Sequence, residues 1–147
     1  MTSLDSPAPV IGPAERLNGL LRGELAAVIA CRHALWSLNG RHPDTAVEIA
    51  TFKAHHTQTV AALQAAVRAL GGSPAVEAGT WGSFALLGDA LSVRLLLQAE
   101  ALGLIEYEDA LASLGGSSRD VVELELLPRQ RRHIAALSSI LSGLPAA

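Results

Sequence analysis

Four side chains that are able to bind a metal ion interrupt the apolar stripes of this sequence. Glu24 follows a pair of leucines and precedes an alanine, a valine and a cysteine on one helical face. His56 lies between a phenylalanine four residues earlier and a valine four residues later. Glu100 and His133 are flanked by leucines at helical spacing. Each of four helical segments therefore carries one carboxylate or imidazole on the face that it is expected to bury.

These residue types in this placement indicate a metal site. A buried carboxylate is costly unless it is paired or coordinated to a cation. Two oxygen and two nitrogen ligands suit zinc, or iron with open coordination positions. We therefore predict that Glu24, His56, Glu100 and His133 converge in the core and bind iron or zinc.

Other interpretations of these residues stay open. A single polar residue on an apolar face is more often a hydrogen-bonded core residue than a ligand. Lys53, one turn before the histidine of the second segment, offers an ammonium that would pair with both glutamates in a metal-free salt-bridge network. A different register on the same segment would present Glu48 with His55 instead.

Four long helical patterns must position these residues. They are bounded by prolines, asparagine and glycines, and run from Pro13 to Asn39, from Pro43 to Gly71, from about Trp81 to Leu114 and from about Ser118 to Leu141. Proline suits the first turn of a helix, and glycine suits the residue that follows one. Pro128 falls inside the fourth pattern, where it predicts a kink or a break.

The patterns favour an all-α, up-down four-helix bundle. Alanine and leucine dominate them, and neither β-branched alternation nor hairpin turns indicate strands. Four amphipathic helices of this length pack most simply as a bundle. The loop from Ser73 to Thr80 suits a crossover along the bundle without requiring one. We predict a flexible tail at 1–12 and one bundle domain at 13–144.

Composition narrows the functional classes. The chain has 147 residues, 50% of them hydrophobic, which is enough for one hydrophobic core. Its formal net charge of −3 provides no positive surface that would attract nucleic acid. Charges break the apolar stretches, which argues against a membrane span. The first residues lack the basic and apolar regions of a signal peptide. One cysteine, Cys31, makes no internal disulfide, and we expect a cytoplasmic protein.

Several stretches carry a resemblance to a known family. They are LNGLL at 17–21, LQAAVRALGGSP at 63–74, Glu100 seven residues before Tyr107, and QRRH at 130–133. Together they resemble the ferritin-like superfamily from about Ala14 to Leu141, and within it an uncharacterised bacterial, rubrerythrin-related branch. The resemblance implies a ferritin-like bundle with a long crossover between helices two and three.

The resemblance also implies a ligand pattern, from which this sequence departs. Di-iron proteins of this superfamily take one Glu from each of two helices and Glu-x-x-His from each of the other two. Glu24 and Glu100 match the single carboxylates, and the two predicted histidine ligands match the histidines. The bridging carboxylates, however, would fall at Lys53 and Gln130, and neither residue is an acid. The sequence therefore lacks the acids that would bridge a pair of ions.

Two functions follow from these observations. The first is a ferritin-like protein that binds iron or zinc, linked to metal handling or oxidative stress. The second is a non-enzymatic helical scaffold or interaction protein with a degenerate metal site.

Tyr107 would either make a core hydrogen bond or donate an electron near a metal. The apolar surface left over on a small bundle predicts a homodimer.

Overall fold

The computed structural model describes residues 12–38, 40–78 and 89–144, and these contain helices and turns but no strand. Its helices are α1 (Pro13–Leu38), α2 (Pro43–Ala69), α3 (Asp89–Ala110) and a continuous helix at 116–143, numbered α4 here. The predicted all-α class is confirmed. The predicted tail and the predicted start of the third helix at Trp81 fall outside the described residues.

Glycines end the first two helices as predicted. Gly40 and Gly71 have φ angles of 82° and 79°, in the left-handed region that costs glycine little. After α2, Gly71 N–H donates to the carbonyl of Arg68 at 2.9 Å, and Gly72 N–H donates to that of Val67 at 3.0 Å. This pair of bonds is the Schellman arrangement, which satisfies the last carbonyls of a helix.

Pro128 changes the winding of α4 without ending it. The helix consists of an α-helical turn at Gly116–Asp120, a π-helical segment at Val121–Leu126 and an α-helix at Leu127–Gly143. Proline donates no hydrogen bond, and its ring collides with the carbonyl four residues earlier. The wider turns just before Pro128 relieve this conflict, because the N–H of Leu127 bonds to the carbonyl of Val122, five residues back.

The direction of each helix follows from two apolar clusters at opposite ends of the bundle. One cluster joins the start of α1 to the ends of α2 and α3 and the start of α4, for example through Leu17, Val67 and Ala110. The other joins the end of α1 to the starts of α2 and α3 and the end of α4, for example through Leu38 and Ile49. Because α2 ends at one cluster and α3 begins at the other, these two consecutive helices run in the same direction. The predicted crossover is confirmed.

A polar layer separates the two apolar clusters. Along every helix, buried apolar residues lie on either side of one buried acid or histidine near the middle. The buried polar residues near this level are Glu24, His56, Thr59, Glu100, Gln130 and His133. Apolar packing at both ends therefore sets the spacing of the helices around the polar layer.

Candidate metal centre

The predicted residues Glu24, His56, Glu100 and His133 meet in this layer, one from each helix. Their exposed fractions are 5%, 2%, 0% and 2%. Each replaces one apolar side chain in a helical stripe, so the packing that buries the stripe buries the polar group as well. The structure thus brings all four predicted residues together.

His56 lies between the two carboxylates. Its Nδ1 is 2.5 Å from Glu24 Oε2, and its Nε2 is 2.5 Å from Glu100 Oε1. Burial disfavours a charged imidazole, but the two carboxylates outweigh burial and raise the pKa of His56 to about 10. The metal-free network therefore contains a doubly donating imidazolium. The charge between the glutamates comes from His56, whereas Lys53 is partly exposed.

Two further residues complete the bonding of the carboxylates. The Tyr107 hydroxyl donates to Glu24 Oε1. Gln130 Nε2 donates to Glu100 Oε2 and, at 2.8 Å, to the backbone carbonyl of Glu100. A Cβ atom on Gly103 would lie 2.9 Å from Gln130 Nε2, so the glycine makes room for this amide. Tyr107 thus makes the predicted core hydrogen bond.

His133 has one ring nitrogen without a hydrogen-bond partner in the described structure. This atom, Nδ1, is buried and lies 3.8 Å from Glu100 Oε1. The other nitrogen, Nε2, is 2.9 Å from His55 Nδ1. Phe52 covers the ring at a centroid distance of 4.6 Å. A buried nitrogen that lacks a hydrogen-bond partner is unusual, and in the tautomer protonated at Nε2 it would offer a lone pair to a cation.

Three of the four predicted residues present their donor atoms to one point. Ligand atoms of His56, Glu100 and His133 all lie within 4.8 Å of one another. Two ligands that share a tetrahedral zinc ion at about 2.0–2.2 Å lie about 3.3–3.6 Å apart, slightly closer than the 3.8 Å between His133 Nδ1 and Glu100 Oε1. His56 Nε2 and Glu100 Oε1, by contrast, are only 2.5 Å apart in the metal-free network, so these two donors must separate by about 1 Å to share an ion. A cavity of about 10 Å³, roughly one water in size, lies on the Glu24 and Tyr107 side of His56, and neither Glu100 nor His133 lines it.

The electrostatics of this site favour positive charge. Burial alone would raise the pKa of Glu100, but the imidazolium of His56 outweighs burial and lowers it to about 2. Two glutamate side chains meet the single imidazolium of His56 in this buried layer. A divalent ion would bring more positive charge than the one proton that it replaces.

Some predicted details of the site are changed by the structure. Glu24 contacts the ring nitrogen of His56 that faces away from the three-donor cluster. Gln130 holds Glu100 by hydrogen bonds from its amide. Glu48 is exposed, and its predicted partner His55 contacts His133 instead.

His55 is a site residue that the sequence analysis did not identify as a partner of His133. The side chain is half-buried, and burial together with His133 and Arg129 lowers its pKa. The signal available in the sequence was the adjacent pair of histidines in a helix. Side chains at neighbouring positions of a helix point about 100° apart. A pattern that predicts burial of His56 therefore does not predict where His55 points.

Comparison with known proteins supports the fold. No protein-family model matches the chain, and no curated protein matches it. A solved structure from Bacillus anthracis, described as ferritin-like, diiron-carboxylate proteins, aligns with a TM-score of 0.78 at 16% identity, over 88% of this chain and 94% of that chain. A conserved hypothetical protein from Mycobacterium tuberculosis aligns with a TM-score of 0.71 at 15% identity, over 92% and 97%.

These alignments define the class of protein. The chain has the ferritin-like four-helix-bundle fold, which confirms the fold implied by the sequence resemblance. The buried His/Glu/His cluster marks a possible metal site within that fold. In the part of the chain that the structure describes, no helix has the length and apolar character of a membrane span.

Proposed function

We propose that this protein binds one divalent transition-metal ion, iron or zinc, through His56, Glu100 and His133. The observation that carries the proposal is the placement of His133 Nδ1, a buried nitrogen with no hydrogen-bond partner among the described residues. It faces a carboxylate and an imidazole from two other helices, with the donor atoms within 4.8 Å of one another. Two histidines and one carboxylate leave coordination positions open, as in non-haem iron sites and catalytic zinc sites.

Glu24 has a distinct place in this proposal. A metal-bound histidine usually donates its second N–H to a carboxylate, which fixes the ring and its tautomer. Glu24 Oε2 accepts from His56 Nδ1 at 2.5 Å and is itself held by the Tyr107 hydroxyl. The geometry thus favours Glu24 as the group that orients His56, where the sequence predicted a fourth ligand.

Gln130 favours a single ion over a bridged pair. Its amide lies where the family resemblance places a bridging carboxylate, and both of its N–H groups are used on Glu100. Bridging carboxylates are what hold two cations about 3.5–4 Å apart in two-metal sites. A neutral amide that donates to Glu100 brings no second negative charge for a second ion.

The residues prepare the site through protons and orientation. His56 Nε2 must release its proton before its lone pair is available, and Glu100 accepts at that atom in the metal-free state. Apolar clusters on both sides exclude water. A bound iron ion would supply redox chemistry and a bound zinc ion Lewis acidity. The name of the Bacillus neighbour favours iron, and with it a role in metal handling or oxidative stress.

Metal analysis of purified protein tests the proposal. Wild-type protein from iron- or zinc-replete cells is expected to hold about one metal ion per chain. The double variant Glu24→Ala/His133→Ala is expected to lose it, because one ligand and one orienting group are removed. His33→Ala, which removes a histidine of α1 outside the cluster, is the matched control and should keep the metal. Equal, near-zero metal in the wild type and the double variant would refute the proposal.

A metal-free scaffold is the second candidate, and the position of His56 favours it. The imidazolium contacts both carboxylates at 2.5 Å and so pairs them without any ion. The variant Lys53→Glu/Gln130→Glu, which restores acids at the bridging positions, separates the two candidates. Metal binding only in this variant would support a degenerate scaffold, and stoichiometric binding by the wild type would exclude it.

A further inference from the structure

The contact between His55 and His133 gives the half-buried histidine a role. The distance between His55 Nδ1 and His133 Nε2 is 2.9 Å, and the two ring planes are within 3° of parallel. The remaining nitrogen of His133, Nδ1, is the buried atom that faces Glu100 at 3.8 Å. One edge of His133 is therefore occupied by a hydrogen bond, and the opposite edge is turned toward the three-donor cluster.

The tautomer of His133 follows from this arrangement. A neutral imidazole has one N–H and one lone pair, and the hydrogen bond at one nitrogen decides which atom carries the proton. If His133 Nε2 carries the proton and donates to His55 Nδ1, the lone pair of His133 lies on Nδ1. The opposite tautomer would place an N–H in a buried position with no accepting atom within hydrogen-bond distance in the described structure.

We propose that His55 is a positioning residue for the proposed metal site: its Nδ1 accepts from His133 Nε2–H and holds the Nδ1 lone pair of His133 toward His56 and Glu100. This inference rests on the proposed function. It assigns to a histidine the part that a carboxylate or backbone carbonyl usually takes behind a metal-bound histidine.

The helix that carries His55 is itself fixed to α4. The backbone carbonyl of His55 accepts from the Thr59 hydroxyl at 3.0 Å and from Arg129 Nη1 at 3.4 Å. Arg129 Nη1 is also 3.5 Å from the Thr59 hydroxyl oxygen. These contacts connect the turn of α2 that bears His55 to α4, the helix that carries His133. The backbone that holds the His55 ring is therefore fixed relative to His133.

Two substitutions separate the acceptor from the bulk of the ring. His55→Leu fills a similar volume without an acceptor, and His55→Asn places a carbonyl oxygen near the position of Nδ1. Heteronuclear NMR of metal-free, histidine-labelled protein reads the tautomer of His133 directly. We expect the Nε2–H tautomer in the wild type and in His55→Asn, and a mixture in His55→Leu. A wild-type His133 in the Nδ1–H form, or an unchanged tautomer in His55→Leu, would overturn the inference.

Zinc titration of the same proteins gives the second readout. His55→Leu is expected to raise the Kd for Zn²⁺ about 10–100-fold, and His55→Asn to restore most of the affinity. An affinity in His55→Leu equal to that of the wild type would contradict the inference while leaving metal binding intact. If no protein binds zinc or iron, the proposed function fails, and the tautomer measurement still decides the part played by His55.

Discussion

Raising the pH should weaken the metal-free protein, because the proton on His56 holds two buried carboxylates together. The pKa of this histidine is about 10 in the folded protein and about 6.5 in an unfolded chain. A folded pKa above the unfolded one gives stability that is complete below the unfolded value and lost as the pH rises toward the folded value. The loss is about 1.4 kcal/mol per pH unit, so the free energy of unfolding should fall by about 2 kcal/mol between pH 7 and 8.5.

Two neighbouring groups define the pH window for this measurement. The pKa of His55 is lower in the folded protein than its usual value of about 6.5, so His55 makes the protein more stable as the pH rises toward that value. This gain in stability is nearly complete above pH 7. Burial raises the pKa of Cys31, so its contribution reduces stability only above the normal thiol range of about 8.5. His56 therefore dominates between these limits.

Urea unfolding with a chelator present, followed by circular dichroism, measures this change. His56→Gln is the control, because it keeps a polar side chain but has no imidazole to titrate. The reasoning is refuted if wild-type stability is flat between pH 7 and 8.5, or if His56→Gln shows the same decrease.

The loss of stability with rising pH is cancelled if the protein binds a metal. Binding requires His56 without its Nε2 proton, so affinity rises with pH and the ion displaces that proton. At a fixed free zinc concentration, the stabilisation caused by zinc should therefore grow from pH 7 to 8.5. A metal-free scaffold would show the same pH dependence with and without zinc.

Three other predictions concern packing and assembly. Gly103→Ala should lower the free energy of unfolding, measured with urea, by about 1–3 kcal/mol. The new Cβ would lie 2.9 Å from Gln130 Nε2 and would displace this amide from its hydrogen bonds to Glu100. In the control Gly19→Ala, the new Cβ has nothing within 4 Å, and the free energy of unfolding should rise by about 0.5–1 kcal/mol. Leu137→Ala, at a fully buried position, should cost about 2–5 kcal/mol, and Leu124→Ala, at a 70% exposed one, less than about 0.5 kcal/mol. Sedimentation should give twice the 15.3 kDa chain mass for the predicted homodimer, and a monomer at high concentration would disprove it.

Helical periodicity was sufficient to predict the four helices and the depth of the site. One acid or histidine in the middle of each apolar stripe implies a shared polar layer once the stripes face one another, and the structure shows that layer. The direction of α3 did not follow from periodicity, because an apolar helix face can pack against the bundle in either direction. The resemblance supplied the crossover, and the apolar clusters at the two ends confirm it.

The partners within the site depend on distances that a sequence does not contain. Glu24 and Glu100 are equivalent in the pattern, yet one contacts the outer nitrogen of His56 and the other its cluster-facing nitrogen. The resemblance gave Gln130 a bridging position, which stays a prediction, and its donation to Glu100 depends on the missing side chain of Gly103. Metal binding and the identity of the ion both stay predictions.

The crossover also has a consequence for the order of folding. α1 and α2 are joined by a short turn, so their hairpin closes a small loop, and it already contains the contact between Glu24 and His56. Glu100 and His133 belong to the second pair of helices, so the three-donor cluster is complete only when that pair packs against the hairpin. Formation of the cluster therefore requires long-range contacts, whereas the contact between Glu24 and His56 requires only the hairpin.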